Sequence, residues 1–156
     1  MGQLRNLAAY TNSPIMDGEE LPSYLDIVAF CHLRWSFVWQ RPQHLMSRCA
    51  ETRRVFFVEE PIIGGSHSFS DVSIHNGVHV VVPHLCEGLE DYNQEMKKLL
   101  DQLLSDYKIG SYLCWYWTPL ALPYSRHLSP HITIYDCMDQ LSAFSGSAAL
   151  SFHPAS

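Results

Sequence analysis

The chain has 156 residues, with ten Lys plus Arg against sixteen Asp plus Glu and a formal net charge of −6. A hydrophobic fraction of 47% with 17% charged residues excludes wholesale disorder. The acidic balance argues against broad electrostatic binding to nucleic acid or an anionic membrane, and the length suffices for one domain with a sizeable core. The longest apolar runs are about seven residues, short of a membrane span. The start, Met1 to Asn6, lacks the apolar stretch of a signal peptide, and Asn6 stands where a myristoylation motif wants Ser or Thr. Five cysteines lie at 31, 49, 86, 114 and 137 without a CxxC pair. Reduced thiols in a cytoplasmic protein are the expectation, with no zinc site.

Residues 1–22 are polar and read as a flexible leader. Tyr24 to Cys31 is a nearly continuous apolar run, the pattern of a strand buried on both faces of a parallel sheet. A loop from His32 to Gln40 leads to Pro42, placed as the first residue of a helix. From Gln43 to Thr52, Leu45, Met46, Cys49 and Ala50 share one helical face. Val55 to Val58 is a second buried strand, closed by Glu59-Glu60-Pro61; strand, helix and strand form a βαβ unit with an expected right-handed crossover. Asn76-Gly77 between two strand-like runs over 72–83 signals a hairpin, and Gly64-Gly65 reads as a loop hinge. The spacing of Tyr92, Met96, Leu99, Leu100, Leu103, Leu104 and Tyr107 predicts a helix over 91–108, ended by Gly110. Ser111 to Trp117 is a strand, Thr118-Pro119 starts a short helix reaching His127 or Leu128, and Ile132 to Asp136 is a last strand. The order β-α-β-(ββ)-α-β-α-β predicts an open, mostly parallel Rossmann-like α/β sheet with helices on both faces over 23–146. Residues 147–156 are small, polar and without periodicity, and read as a disordered or aberrant tail.

Ligands of open α/β sheets bind at the carboxyl ends of the strands, near the point where strand order reverses. Here those ends carry His32, Arg34, Trp35, Trp39, Gln40 and Arg41 after the first strand, and Glu59 and Glu60 after the second. Trp117, Thr118, Asp136 and Asp139 follow the later strands. Aromatic planes beside carboxylates and amides suit a sugar, whose CH faces stack while its hydroxyls seek paired donors and acceptors. Arg34 or Arg41, beside the start of a helix, could hold a phosphate. Each residue also has a structural reading. The tryptophans could be core, Arg41 could pair with Glu59 or Glu60, and Asp136 and Asp139 could cap the next helix. His32 is either a general base or an ordinary loop histidine. His127 and His131 are four apart, but Pro130 breaks the helix that would align them, so no metal site is assigned. Neither GxGxxG nor GxxxxGK[ST] is present.

Leu33-Arg34-Trp35-Ser36-Phe37-Val38-Trp39-Gln40-Arg41-Pro42-Gln43-His44-Leu45 followed by Arg54-Val55-Phe56-Phe57-Val58-Glu59-Glu60-Pro61 resembles the amino-terminal part of bacterial glycosyltransferases of the GT-B type. Trp115-Tyr116-Trp117-Thr118-Pro119 and Tyr135 to Phe144 extend the resemblance, which covers about residues 25–146. It implies two Rossmann-like domains facing across a cleft, the first binding mainly the acceptor and the second the nucleotide-sugar donor. The chain then corresponds to the acceptor-side half, and its departure after Gly146 reads as truncation, a frameshift or a split gene. On this reading Arg34, Trp35, Trp39, Gln40, Arg41, Glu60, Trp117 and Thr118 bind a glycan or lipid-linked acceptor. Glu59, Asp136, Asp139 and His32 orient hydroxyls or act as base. This half binds no cofactor of its own. The implied role is envelope polysaccharide synthesis, compatible with peripheral membrane association of the full enzyme, and the missing domain is a partner. Without that domain, Trp35, Trp39 and Trp117 are expected to face water. The alternative is a non-catalytic α/β module that binds a sugar, a phosphate or a protein. A receiver-like or flavodoxin-like domain is disfavoured, because the first strand lacks a terminal acidic pair.

Overall fold

The computed structural model describes residues 21–136. The apolar runs form strands β1 (Asp26–Phe30), β2 (Val55–Val58) and β6 (Tyr112–Tyr116), buried along their whole length. Between them lie α1 (Arg41–Cys49), β3 (Ile62–Ile63), β4 (Phe69–His75), β5 (Val78–Leu85) and α2 (Tyr92–Asp106). A 3-10 turn, Pro119–Ala121, then leads into α3 (Leu122–Ser125) and β7 (Ile132–Tyr135). Seven strands make one open Rossmann-like sheet in the order β3-β5-β2-β1-β6-β7, with β4 paired to β5. Every pairing is parallel except β4 with β5. The predicted helix 43–52 is shifted to begin at Arg41, so Pro42 occupies its second position. No helix among the described residues is long and apolar enough to cross a membrane.

Period-two alternation sends each strand's side chains to opposite layers. Val28, Phe30, Phe56, Val58 and Val81 pack under Met96, Leu100 and Leu103 of α2 and Tyr124 of α3. Ile27, Ala29, Val55, Phe57, Val80 and Trp115 form the other layer with Met46 of α1. The hairpin β4–β5 turns at Asn76 (φ 51) and Gly77 (φ 78), the two left-handed residues a tight two-residue turn demands.

β5 is flanked on both sides. Val58 pairs with Val81 and Ile62 with His84, so four residues advance on the β2–β3 side while three advance on β5. The surplus residue is a bulge at Glu59–Pro61, opposite Val82 and Pro83. Pro83 and Pro61 both lack an N–H, so the interrupted ladder loses no donor there. The chain rejoins β5 where the Gly64 amide donates to the Leu85 carbonyl at 2.9 Å.

At the amino ends of the strands, Arg54 holds the buried Asp26 with two bonds: Nε to Oδ1 at 3.0 Å and Nη2 to Oδ2 at 2.6 Å. Its Nη1 also donates to the Tyr107 carbonyl at the end of α2, 2.7 Å away. The left-handed residue ending α2 is Lys108 (φ 52), not the predicted Gly110. The helix closes two residues earlier because the Ile109 amide turns back onto the Leu104 carbonyl at 2.8 Å and Ile109 is buried. Thr118 caps the Pro119 turn, accepting from the Leu120 amide at 3.2 Å, but α3 ends at Ser125, short of the predicted 127–128. There the Ser125 hydroxyl donates back to the Ala121 carbonyl and meets the Tyr116 hydroxyl at 2.7 Å. His127, rejected as a metal ligand, bonds Asp101 at 2.7 Å.

Candidate functional site

From β1 the chain moves to β2 and β5 on one side, then crosses to β6 and β7 on the other. Strand order therefore reverses between β1 and β6, and the crevice at their carboxyl ends is where this architecture accepts a ligand. Its floor is fixed by the Trp117 amide, which donates to the Phe30 carbonyl at 2.9 Å.

The loop 31–40 forms one wall. Alternation continued from Phe57 places Glu59 on the α1 side of the sheet, where it is buried. Its Oε1 accepts from the Trp35 amide at 2.7 Å and its Oε2 from Arg34 Nη1 at 2.9 Å. The same Nη1 donates to the Glu60 carbonyl at 2.7 Å. Glu59 thus ties the loop to the end of β2, and its carboxylate is already occupied by two donors. Arg34 makes these contacts from one nitrogen, and its side chain is partly exposed.

A residue the sequence did not single out completes the loop. Gln43 is fully buried in the first turn of α1. Its Oε1 accepts from the Gln40 amide at 3.1 Å, and its Nε2 donates to the Val38 carbonyl at 3.2 Å. The signal was a capping-box spacing, Gln40-x-x-Gln43, with glutamine in place of the commoner serine or threonine. With its amino end anchored at Glu59 and its carboxyl end at Gln43, the loop is left to expose its middle. Phe37 is 74% exposed, Val38 55% and Trp39 42%.

Arg41 does not pair with Glu59 or Glu60. Its Nη2 meets Asp136 Oδ2 at 2.9 Å, and its guanidinium lies 5.7 Å from the centroid of the Trp117 ring. The pair bridges the start of α1 and the end of β7. It is a surface pair, with Arg41 60% exposed, and such pairs contribute about 0–1 kcal/mol. An arriving anion or hydroxyl can therefore compete for either partner.

The tryptophans divide. Trp35 is buried and packs edge-on against Phe57, 5.1 Å between centroids; Trp117 is buried and stacks on Trp115 at 5.4 Å. The expectation that three tryptophans face water is corrected: only Trp39 does, edge-on to Trp35 at 5.7 Å and to His44 at 5.2 Å. Thr118 is likewise buried in its capping role. Trp35, Trp117, Thr118 and Glu59 therefore support the crevice from beneath, while Arg34, Trp39, Gln40, Arg41, Glu60 and Asp136 remain accessible at its surface. Two polar atoms near the floor, His32 Nδ1 and Trp117 Nε1, are buried without a hydrogen-bond partner among the described residues. Asp139 lies outside the described residues, as do most of the 1–22 leader and the 147–156 tail.

Cys31, directly after β1, is not a nucleophile for this site. Burial pushes its thiol up to about 11, so it is protonated at neutral pH. Among the described residues, no three His, Cys, Asp or Glu side chains come together as metal ligands. Models of known protein families, curated proteins and solved structures were compared with the chain, and none of them matches it.

Proposed function

We propose that this chain is the acceptor-binding half of a sugar-nucleotide-dependent glycosyltransferase, working in the cytoplasm. The observation that carries the reading is the set of side chains gathered at the carboxyl ends of the strands. A buried base of Glu59, Trp35, Trp117 and Gln43 supports an exposed aromatic, Trp39, and two accessible arginines, Arg34 and Arg41, the latter paired with Asp136. A sugar ring lies against Trp39, its hydroxyls reach Asp136 or Gln40, and Arg34 or Arg41 takes a phosphate where the acceptor is lipid-linked. The resemblance of residues 33–45, 54–61 and 115–119 to GT-B enzymes supplies the reaction class. In transfer, an acceptor hydroxyl attacks the anomeric carbon of a nucleotide-sugar donor held by a second domain, the bond from that carbon to the donor's phosphate oxygen breaks so that the nucleotide leaves, and Asp136 or His32 takes the hydroxyl proton if the reaction inverts.

The test is titration of the protein with methyl glycosides of glucose, galactose and mannose, and with their 1-phosphates, followed by tryptophan fluorescence. Saturable change that is lost in Trp39→Ala, and weakened at least tenfold in Arg41→Ala for the phosphates only, is the expected result. No saturation by any of them, together with no donor consumption by the full gene product, would sink the reading. Sugar binding without turnover by the full product would favour the second reading, a sugar-binding module. That reading is favoured by the full engagement of Glu59, which removes one carboxylate from catalysis.

A further inference from the structure

The geometry points to a second function for the opposite edge of the sheet: β4 pairs with β4 of a second copy of this chain, joining two sheets across a two-fold axis. Among the described residues β4 pairs only with β5. The two-residue turn at Asn76-Gly77 makes His75 and Val78 a hydrogen-bonded pair. Alternation then directs the backbone N–H and C=O groups of Phe69, Asp71, Ser73 and His75 inward to β5, and those of Ser70, Val72 and Ile74 outward. Seven residues of edge strand with three outward-facing residues are an open template for another strand.

Two further observations choose the occupant. Between β4 and α2 lies a groove of about 550 Å³, lined by Ser70, Val72, Lys98, Leu99, Gln102 and Leu103 among others. Ile74, on the same face of β4 as Val72, is 65% exposed. The edge therefore carries an apolar plug at one end and a partly apolar socket at the other, the self-complementary arrangement of a two-fold interface. Antiparallel pairing centred on Val72 sets Ile74 of each copy opposite Ser70 of the other, at the mouth of the groove. It uses all three outward residues of both strands. Asp71 then faces Ser73 and Phe69 faces His75, so no like charges meet. A shift by one residue turns inward-facing groups to the interface, and a shift by two leaves one outward residue of each strand unpaired.

Sedimentation equilibrium of the full chain from low to high micromolar concentration tests this, alongside amide hydrogen exchange. The expected result is a dimer of twice the chain mass, with the Ser70, Val72 and Ile74 amides protected. Ile74→Lys, at an exposed site, and Ser70→Pro, which removes an outward donor, should each shift the dissociation constant upward at least tenfold while the circular dichroism spectrum stays unchanged. A wild-type monomer with freely exchanging β4 amides overturns the proposal. So does a monomer with protected amides, which would assign the edge to a segment of the same chain. Dimers unaffected by both substitutions overturn it too. None of these outcomes depends on the sugar reading.

Discussion

One guanidinium, that of Arg54, joins the start of β1, the start of β2 and the end of α2. The Asp26 carboxylate beneath it is buried, and Arg54 also lies 5.6 Å from the Phe56 ring centroid. Bonding to Asp26 raises the Arg54 pKa further, so the guanidinium stays charged throughout the useful pH range. Removing one partner of a buried pair costs about 3–5 kcal/mol, which the partial exposure of Arg54, 39%, reduces to about 2–3 kcal/mol. Arg54→Ala should therefore lower the melting temperature by roughly 5–10 °C, measurable by calorimetry. An unchanged melting temperature would refute the anchoring role. Cysteine makes a second prediction at this scale. Burial pushes the thiols of Cys31 to about 11 and Cys114 to about 12. The folded state keeps protons that the unfolded chain gives up near the ordinary thiol value. This stabilisation is fully present below about pH 8.5 and is lost as pH rises towards 11–12. Denaturant midpoints should fall across that window, and Ellman's reagent at about pH 8, below the ordinary thiol value, should leave both thiols unmodified until the chain unfolds. The Tyr116 and Tyr124 hydroxyls, raised by the same burial, act in the same direction.

Among the elements, the buried strands were legible because a strand covered on both faces must be apolar throughout, as Val55 to Val58 is. The helix ends were less so. Gly110 is the residue expected at the left-handed position, yet Lys108 holds it, since burying Ile109 fixes where the chain must turn. That substitution of chemistry by packing carries a cost of about 1 kcal/mol for a residue with a Cβ. Lys108→Gly should stabilise the fold by about 0.5–1 kcal/mol in urea titration, and a destabilised variant would show that the Lys108 side chain does more than hold the turn. The site was legible as a set of residue types and not as a set of partners. Arg34 and Arg41 are alike in sequence, and only the tertiary fold decides that Arg34 meets Glu59 while Arg41 reaches across to Asp136, 95 positions on. Trp35 and Trp117 read as rim residues from their positions after strands. They are buried because the loop folds back over the α1 layer, a long-range event with no local signature.

At the scale of the whole molecule, charge is sorted along the strand axis. The ion pair that fastens the fold, Asp26 with Arg54, lies at the amino ends of the strands; the pairs around the crevice, Arg34 with Glu59 and Arg41 with Asp136, lie at the carboxyl ends. Sequence order alone showed the alternating α/β plan, and hence the end of the strands at which this architecture accepts ligands. It did not show the two-residue strand β3, too short to have a period. Residues 59–61 make the fold sensitive to length rather than to identity at one place. Loops elsewhere absorb insertions and deletions, but here the count itself sets the geometry: one residue more than β5 can match makes the bulge before Ile62 and Ile63 rejoin at His84 and Leu85. Glu60→Ala keeps the count and should change stability by less than about 0.5 kcal/mol. Deleting Glu60 leaves three residues against three, so Ile62 can still meet His84, but it removes the bulge and the Glu60 carbonyl that Arg34 holds. A thermal melt of the two variants separates them, and equal melting temperatures would mean that the chain can absorb the missing residue. A gene alignment that tolerated any residue at position 60 yet never a gap would be the evolutionary imprint of the same geometry.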